Sequence, residues 1–464
     1  MSDLTTLWLA VRTAGSVDNY VRQQLEAKGF LVKRRPTDGM SPKELEKYKQ
    51  ELKREAAEAR SLRAAAWKAH KANHIVHVGE GVYWNDADDL DRFDVPQPEE
   101  RQAENGLPPL DSPKKLAEAL GLSIIELRWL SWHRDLATGV HYRRFTIPKR
   151  SGGERAIWAP MPKLKKAQRW ILREIVEKLP VHGAAHGFLA GRSIATNAAA
   201  HNGALVVLKL DLKDFFPTLT LPRVKGLFRR AGYREQVATL LALLCTESPR
   251  EIVEQDGKRL FVALGPRCLP QGAPTSPAIT NAVCMRLDRR LAGAAAKLGW
   301  RYTRYADDLT FSRVRPAEAP VVEAAAPAAK PAKGKKATAA AETTPAPSQA
   351  PAARLSKLLG VVHEVVKDEG FIVHPDKTRV ARSGGRQAVT GLIINGDQGP
   401  RPPRELRRRV RAALHHLAQG KPLPEGETVE RVAGLIAYIR MTMPQEGERL
   451  YAELQKVTGA VAPA

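Results

Sequence analysis

Residues 302–311 read Tyr302-Thr303-Arg304-Tyr305-Ala306-Asp307-Asp308-Leu309-Thr310-Phe311. Two arms of β-branched and aromatic residues flank adjacent carboxylates, the pattern of a β-hairpin with Asp307 and Asp308 at its tip. Carboxylates crowded at a turn between apolar strands repel one another, and burial raises that cost. A bound dication removes it. The tetrapeptide alone decides little, because Ala87-Asp88-Asp89-Leu90 repeats Ala306-Asp307-Asp308-Leu309. The first copy sits in an acidic run that lacks the glycine and the terminal glutamate of a calcium loop, and it reads as a surface linker. The second has Tyr305 before it and β-prone residues on both sides, although a solvated turn has the same composition.

Two further segments narrow the reading. Val206-Val207-Leu208-Lys209-Leu210-Asp211-Leu212-Lys213-Asp214-Phe215-Phe216 is a nearly apolar strand that ends in a third aspartate and breaks at Pro217. Leu269-Pro270-Gln271-Gly272-Ala273-Pro274-Thr275-Ser276-Pro277 reads as a turn, with Gly272 permitting close backbone approach and Ser276-Pro277 starting a helix. Three aspartates on strand ends suit magnesium, which binds one or two carboxylates and takes its other oxygens from water and phosphate. Two such ions about 4 Å apart activate an attacking hydroxyl and stabilise leaving pyrophosphate.

The order of these motifs resembles that of reverse transcriptases, and most closely the retron branch. Asn197-Ala198-Ala199-Ala200-His201 matches the N-A-x-x-H motif of that branch, and Val389-Thr390-Gly391 its V-T-G motif. His186-Gly187-Phe188 with Gly191-Arg192-Ser193 is also similar. The resemblance spans roughly residues 113–312 and 355–460. It implies an α/β (α+β) right-hand polymerase with fingers, an antiparallel palm sheet backed by helices, and a helical thumb. A largely helical N-terminal extension precedes them. The expected division is 1–110 extension, 111–203 fingers, 204–400 palm and 401–464 thumb. The activity implied is RNA-directed DNA synthesis on a structured non-coding RNA, primed from an internal 2′-hydroxyl to give a branched RNA–DNA product. By analogy such systems serve anti-phage defence with a separate effector protein, and a host ribonuclease H removes the RNA.

The resemblance also assigns roles. Asp211, Asp307 and Asp308 are the expected catalytic and metal-binding residues for two Mg²⁺ ions, with Mn²⁺ as a substitute, and the Leu212 carbonyl completes one shell. Lys149 and Arg155, flanking Ser151-Gly152-Gly153, are expected to hold the incoming deoxynucleoside triphosphate, where Arg offers a fork of donors and Lys a point charge. Phe216 falls where an aromatic ring would clash with a 2′-hydroxyl, whereas Phe215 reads as core. Gln271, Gly272 and Lys377 complete the nucleotide site, Lys377 as a proton donor to pyrophosphate. Asn197, His201, Val389, Thr390 and Gly391 are expected to bind nucleic acid, along with Arg404 and Arg408 of the segment 404–417.

Composition agrees. The 464 residues carry 74 Lys plus Arg against 50 Asp plus Glu, a net charge of +24 that a polyanion would offset. Three scattered cysteines form neither a disulfide framework nor a zinc motif, and no apolar run reaches membrane-spanning length, so a cytoplasmic protein is expected. Ser41-Pro42 with Glu44 predicts a capped charged helix over 41–72, with Leu45, Tyr48, Leu52, Ala56, Ala59 and Leu62 as a narrow apolar stripe. His74–Trp84 contains a strand-like piece. Residues 315–352, almost all Ala, Pro, Lys, Glu and Thr, cannot bury enough apolar surface to order themselves. Competing readings are a group II intron-like or diversity-generating reverse transcriptase, opposed by the N-A-x-x-H and V-T-G matches, and an inactive RNA-binding scaffold, opposed by the intact aspartates.

Overall fold

The computed structural model describes residues 4–32, 34–82, 95–148, 152–314, 351–396 and 398–459. The acidic run 86–91, Lys149 and residues 315–350 lie outside them. Two compact units are present, one from residues 1–83 and 112–132 and the other from 84–111 and 133–464.

The smaller unit is helical. Its dominant element is the helix Pro42–Asn73, opened by a capping box in which Ser41 and Glu44 satisfy each other's backbone N–H groups. The apolar stripe is half-buried as far as Ala59, while Leu62 stays 65% exposed. The Tyr48 hydroxyl accepts from the Arg35 backbone at 2.6 Å, and the Arg63 guanidinium lies over the Phe30 ring. The chain after His74 forms no strand through residue 82, although Ile75 and Val78 are buried. A single helical periodicity over 116–127 divides into Pro113–Leu120 and Ile124–Ser131, because Gly121 ends the first helix with a left-handed cap.

The larger unit contains the strands β1 (Leu136–Ala137), β2 (Tyr142–Pro148), β3 (Glu154–Pro160), β4 (Ala204–Asp211), β5 (Arg250–Gln255), β6 (Lys258–Ala263), β7 (Arg301–Tyr305), β8 (Asp308–Val314), β9 (Arg379–Arg382), β10 (Ala388–Val389) and β11 (Leu392–Ile393). They form an antiparallel sheet ordered β7-β8-β4-β9, the basic hairpin β2-β3, the sheet β1-β6-β5 and the small pair β10-β11. This mixture of helices and antiparallel sheet is the α/β class expected. Residues 95–111 pack here: Gln102 donates to the Gly232 carbonyl at 2.6 Å, and the Tyr233 hydroxyl to the Pro108 carbonyl. The C-terminal helices Arg404–Ala418, Val429–Arg440 and Pro444–Thr458 close around Val410, Leu414, Ile436, Ile439 and Leu450, each fully buried.

One buried charge network anchors β7. Arg304, fully buried, donates from Nε and Nη2 to the two oxygens of Asp288, each at 2.7–2.8 Å. Its Nη1 reaches Asn281 Oδ1 and the Ala306 carbonyl, and the Tyr302 hydroxyl also donates to Asp288. Removing one partner of such a pair strands the other charge away from water. Asp288→Asn should therefore lower stability by about 3–5 kcal/mol in chemical denaturation. Replacing both members together, Arg304→Met with Asp288→Leu, should recover most of it. Equal losses in both variants would show that the pair is not the anchor.

Candidate functional site

Strand β4 runs antiparallel to β8 with Asp211 opposite Asp308. Tyr305 pairs with Asp308, which leaves Ala306-Asp307 as a two-residue turn. All three aspartates are thereby gathered at one end of the sheet. The Leu212 backbone N–H donates to the Asp307 carbonyl at 3.0 Å, tying the turn to the strand that carries Asp211. His374 donates its N–H to the Asp211 carbonyl at 2.7 Å, and the short helical turn Pro375–Lys377 follows. There the Lys377 ammonium donates to Asp211 Oδ2 at 2.7 Å.

The turn is strained and clamped. Ala306 takes φ +55°, a conformation that an L-residue holds only when its surroundings demand it. The Arg304 guanidinium holds its carbonyl, and residues 184–186 add to the edge of β7 through Arg304 N–H to Ala184 O and His186 N–H to Arg304 O. At Gly187 a Cβ would lie 2.8 Å from the Ala306 nitrogen, so only glycine lets this segment lean on the turn. Sequence reasoning missed this support. An arginine within the β-prone hairpin arm was the signal available, but its partners, Asp288 and Asn281, lie on helices before the hairpin.

The electrostatics show unrelieved negative charge. Burial, reinforced by repulsion from Asp211, pushes the Asp307 carboxyl up to about 6. Asp308 is raised by burial and by Asp211, against the pull of Lys209. Lys377 is raised by its hydrogen bond to Asp211. Among the described residues, no three His, Cys, Asp or Glu side chains already stand at the spacing of a closed metal shell. The donor set nonetheless fits a hard divalent cation: it is all carboxylate, and its negative charge is countered only in part, by Lys377 and Lys209.

The remaining expected residues fall into different places. Arg155 is exposed on β3, and Phe216 is half-buried with its ring 5.9 Å from Phe215, which is core as expected and also packs on Phe371. The Gln271 carbonyl accepts from the Trp158 N–H at 2.7 Å, and a Cβ on Gly272 would meet the Trp158 carbonyl and the Ile157 side chain. Strand β3 is thus the partner whose close approach Gly272 allows. Ser276 does not cap the helix Ser276–Val283; its hydroxyl donates back to the Pro270 carbonyl. Arg404 and Arg408 are exposed, and neither has an acidic partner among the described residues. Arg407 and Arg411 pair with Glu446, and Arg409 with Glu427.

The expectation that Asn197 and His201 contact nucleic acid requires correction. Both are fully buried, and their side chains bond the hairpin: His201 Nε2 to Thr303 Oγ1 at 2.7 Å, Nδ1 to Ser312 Oγ at 2.6 Å, and Thr303 Oγ1 to Asn197 Oδ1 at 2.6 Å. Val389 is likewise fully buried. Thr390, half-buried at φ +46°, donates to the Ile194 carbonyl, and Gly391 is exposed. Asn197 Oδ1, both His201 ring nitrogens and the Thr390 hydroxyl bond inside the protein, which puts them in packing rather than on a nucleic-acid surface, while Asn197 Nδ2 is buried without a hydrogen-bond partner among the described residues.

Comparison with known proteins agrees with the geometry. The family model for reverse transcriptase (RNA-dependent DNA polymerase) matches residues 147–394. The chain is 50% identical over 460 residues to the retron Mx162 reverse transcriptase of Myxococcus xanthus, covering 98% of this chain and 90% of that protein. It is 41% identical to the retron Mx65 reverse transcriptase of the same organism (91% and 86% covered), and 29% identical to the retron Ec86 reverse transcriptase of Escherichia coli (76% and 91%). The chain belongs to the reverse transcriptase family, in its retron branch, and is an RNA-directed DNA polymerase. Enzymes of this family use divalent metal ions and act on nucleic acid and nucleotides. No helix among the described residues is long and apolar enough to cross a membrane.

The raised Asp307 carboxyl gives a pH signature. A cation held by Asp307 would compete with the proton, so the half-saturating metal concentration for primer extension should then rise as pH falls through about 6. For one competing proton the rise is about tenfold per pH unit below that point, and the requirement is level above it. An unchanged requirement between pH 5 and 7 would remove Asp307 from cation binding.

Proposed function

We propose that the enzyme copies a structured non-coding RNA into short single-stranded DNA, primed from an internal RNA 2′-hydroxyl, and that Asp211, Asp307 and Asp308 are its catalytic carboxylates. The observation that carries this reading is their convergence at one end of the sheet, with Asp307 raised by burial and by Asp211. Asp211, Asp307 and Asp308, with the Leu212 carbonyl, would hold two Mg²⁺ ions, for which Mn²⁺ substitutes. When bound, such ions lower the pKa of the attacking hydroxyl and offset charge on the leaving pyrophosphate. Lys377, whose ammonium donates to Asp211 Oδ2, is the proton donor to pyrophosphate in this reading.

Arg155, with Lys149, Gln271 and Gly272, forms the nucleotide side of the site. The contact of Gln271 and Gly272 with β3 supports this, because it links the segment Leu269–Pro277 to the basic hairpin. Phe216 is the residue that selects deoxynucleotides through its ring. Residues 401–464 act as the thumb, with Arg404 and Arg408, exposed and without an acidic partner among the described residues, one turn apart on its first helix, suited to backbone phosphates. The branched product, a defensive role with an effector, and removal of RNA by a host ribonuclease H rest on the retron likeness.

Primer extension on an RNA template tests the carboxylates: wild type should make DNA, and Asp307→Asn/Asp308→Asn should make none while remaining folded. Activity in that variant would refute the assignment. For the thumb, Arg404→Ala/Arg408→Ala should reduce the slope of log affinity against log salt by about 0.9 per arginine. Arg409→Ala, already paired with Glu427, should change it less. Equal slopes in the two variants would place the phosphate contacts elsewhere.

A further inference from the structure

The helix Ile194–Ala199 and the pair β10-β11 are joined in one apolar cluster. Ala198, Val389, Leu392 and Ile394 are buried together with Ala204 and Val207 of β4. Thr390 seals the contact by donating to the Ile194 carbonyl at 3.0 Å. From this cluster two connections leave. On one side, Tyr438 of the C-terminal helix Val429–Arg440 packs against it, its hydroxyl 3.3 Å from where a Gly391 Cβ would stand. On the other side, the hydrogen-bonded chain of Asn197 and His201 enters the carboxylate-bearing hairpin.

That chain has a defined direction. Thr303 gives its hydroxyl proton to Asn197 Oδ1, so His201 Nε2 must carry the hydrogen that Thr303 accepts. Nδ1 is then an acceptor, and the Ser312 hydroxyl donates to it. Thr303 lies on β7 and Ser312 on β8, diagonal neighbours on one face, since Thr303 pairs with Thr310 and Ser312 with Arg301. One imidazole therefore spans both arms of the hairpin and is satisfied at both nitrogens. A slip of either strand breaks a bond, and a buried unpaired polar group is costly. Burial, with the nearby His186 and Arg301, lowers His201 to about 3, which keeps the ring neutral in the form this chain needs.

We propose that Asn197 and His201 are positioning residues: with the turn Val389–Gly391 they form a brace that fixes the catalytic hairpin and couples it to the C-terminal helices through Tyr438. They act on polymerisation by holding Asp307 and Asp308 in place, without touching RNA. The proposal rests on the reading of those aspartates as the catalytic carboxylates.

The test uses the full chain with an annealed RNA template–DNA primer duplex and with Mn²⁺ followed by paramagnetic resonance. His201→Ala should bind the duplex within about twofold of wild type, yet bind Mn²⁺ at least fivefold more weakly and lose at least tenfold in kcat. Ser312→Ala, which removes one hydroxyl from the hairpin side and leaves the imidazole intact, should shift Mn²⁺ affinity and kcat in the same direction. The two changes combined should be less than additive, since they break one chain. A non-additive response of kcat to Tyr438→Leu with His201→Ala is expected if the brace reaches the C-terminal helices, and additivity would sever that link. Loss of duplex affinity with Mn²⁺ binding and kcat retained would overturn the proposal in favour of direct contact. Asp307→Asn is measured alongside: full activity there would defeat the carboxylate reading. An inactive Asp307→Asn beside normal Mn²⁺ affinity and kcat in His201→Ala would defeat the brace alone.

Discussion

Carboxylates repel, and a fold that crowds three of them must hold their backbones against that repulsion. Here the turn bearing Asp307 is restrained from several directions. Strand β4 fixes it in register, with Asp211 opposite Asp308 and the Leu212 N–H on the Asp307 carbonyl. The Arg304–Asp288 pair holds β7 from within, Gly187 leans on Ala306, and His201 bridges the two arms. The strained φ of Ala306 is the visible result. Rigidity of this kind lets the site keep unrelieved charge ready for a cation rather than relaxing it by spreading apart.

What could be read in the sequence was whatever is encoded locally. The hairpin tip, the strand ending at Asp211, and the capping box at Ser41 and Glu44 follow from short-range periodicity and cap chemistry, and the helical C-terminal region from the family likeness. Motif order then gave the family. What could not be read was tertiary. Asn197 and His201 look like RNA-binding residues because they are polar and belong to a motif, but their partners lie more than 100 residues away on the hairpin. The contact of Gly272 with Trp158 was equally out of reach, because nothing local announces it. Of the five arginines in the segment 404–411, the sequence could not say which are free, since their acidic partners Glu427 and Glu446 sit on other parts of the C-terminal region.

The charge pattern also separates two uses of arginine in one chain. Arg304, Arg250 and Arg267 are buried and bonded to carboxylates or carbonyls, so they specify the fold. Arg404 and Arg408 stand in solvent, without an acidic partner among the described residues. A net charge of +24 therefore overstates the number of cations ready for phosphate, since arginines such as Arg304, Arg250 and Arg267 are already engaged inside the protein.

Strand β8 begins at the carboxylates with Asp308 and ends at Val314, beside Ala204, the first residue of β4. The chain thus leaves the sheet at the end farthest from the chemistry, roughly 20 Å away at the usual rise per residue, and rejoins described structure at the helix Pro351–Asp368. The pairings that set Asp211 against Asp308 all lie outside the segment between those two points. That junction is therefore a seam of the fold, since the strand register at the carboxylates draws nothing from it.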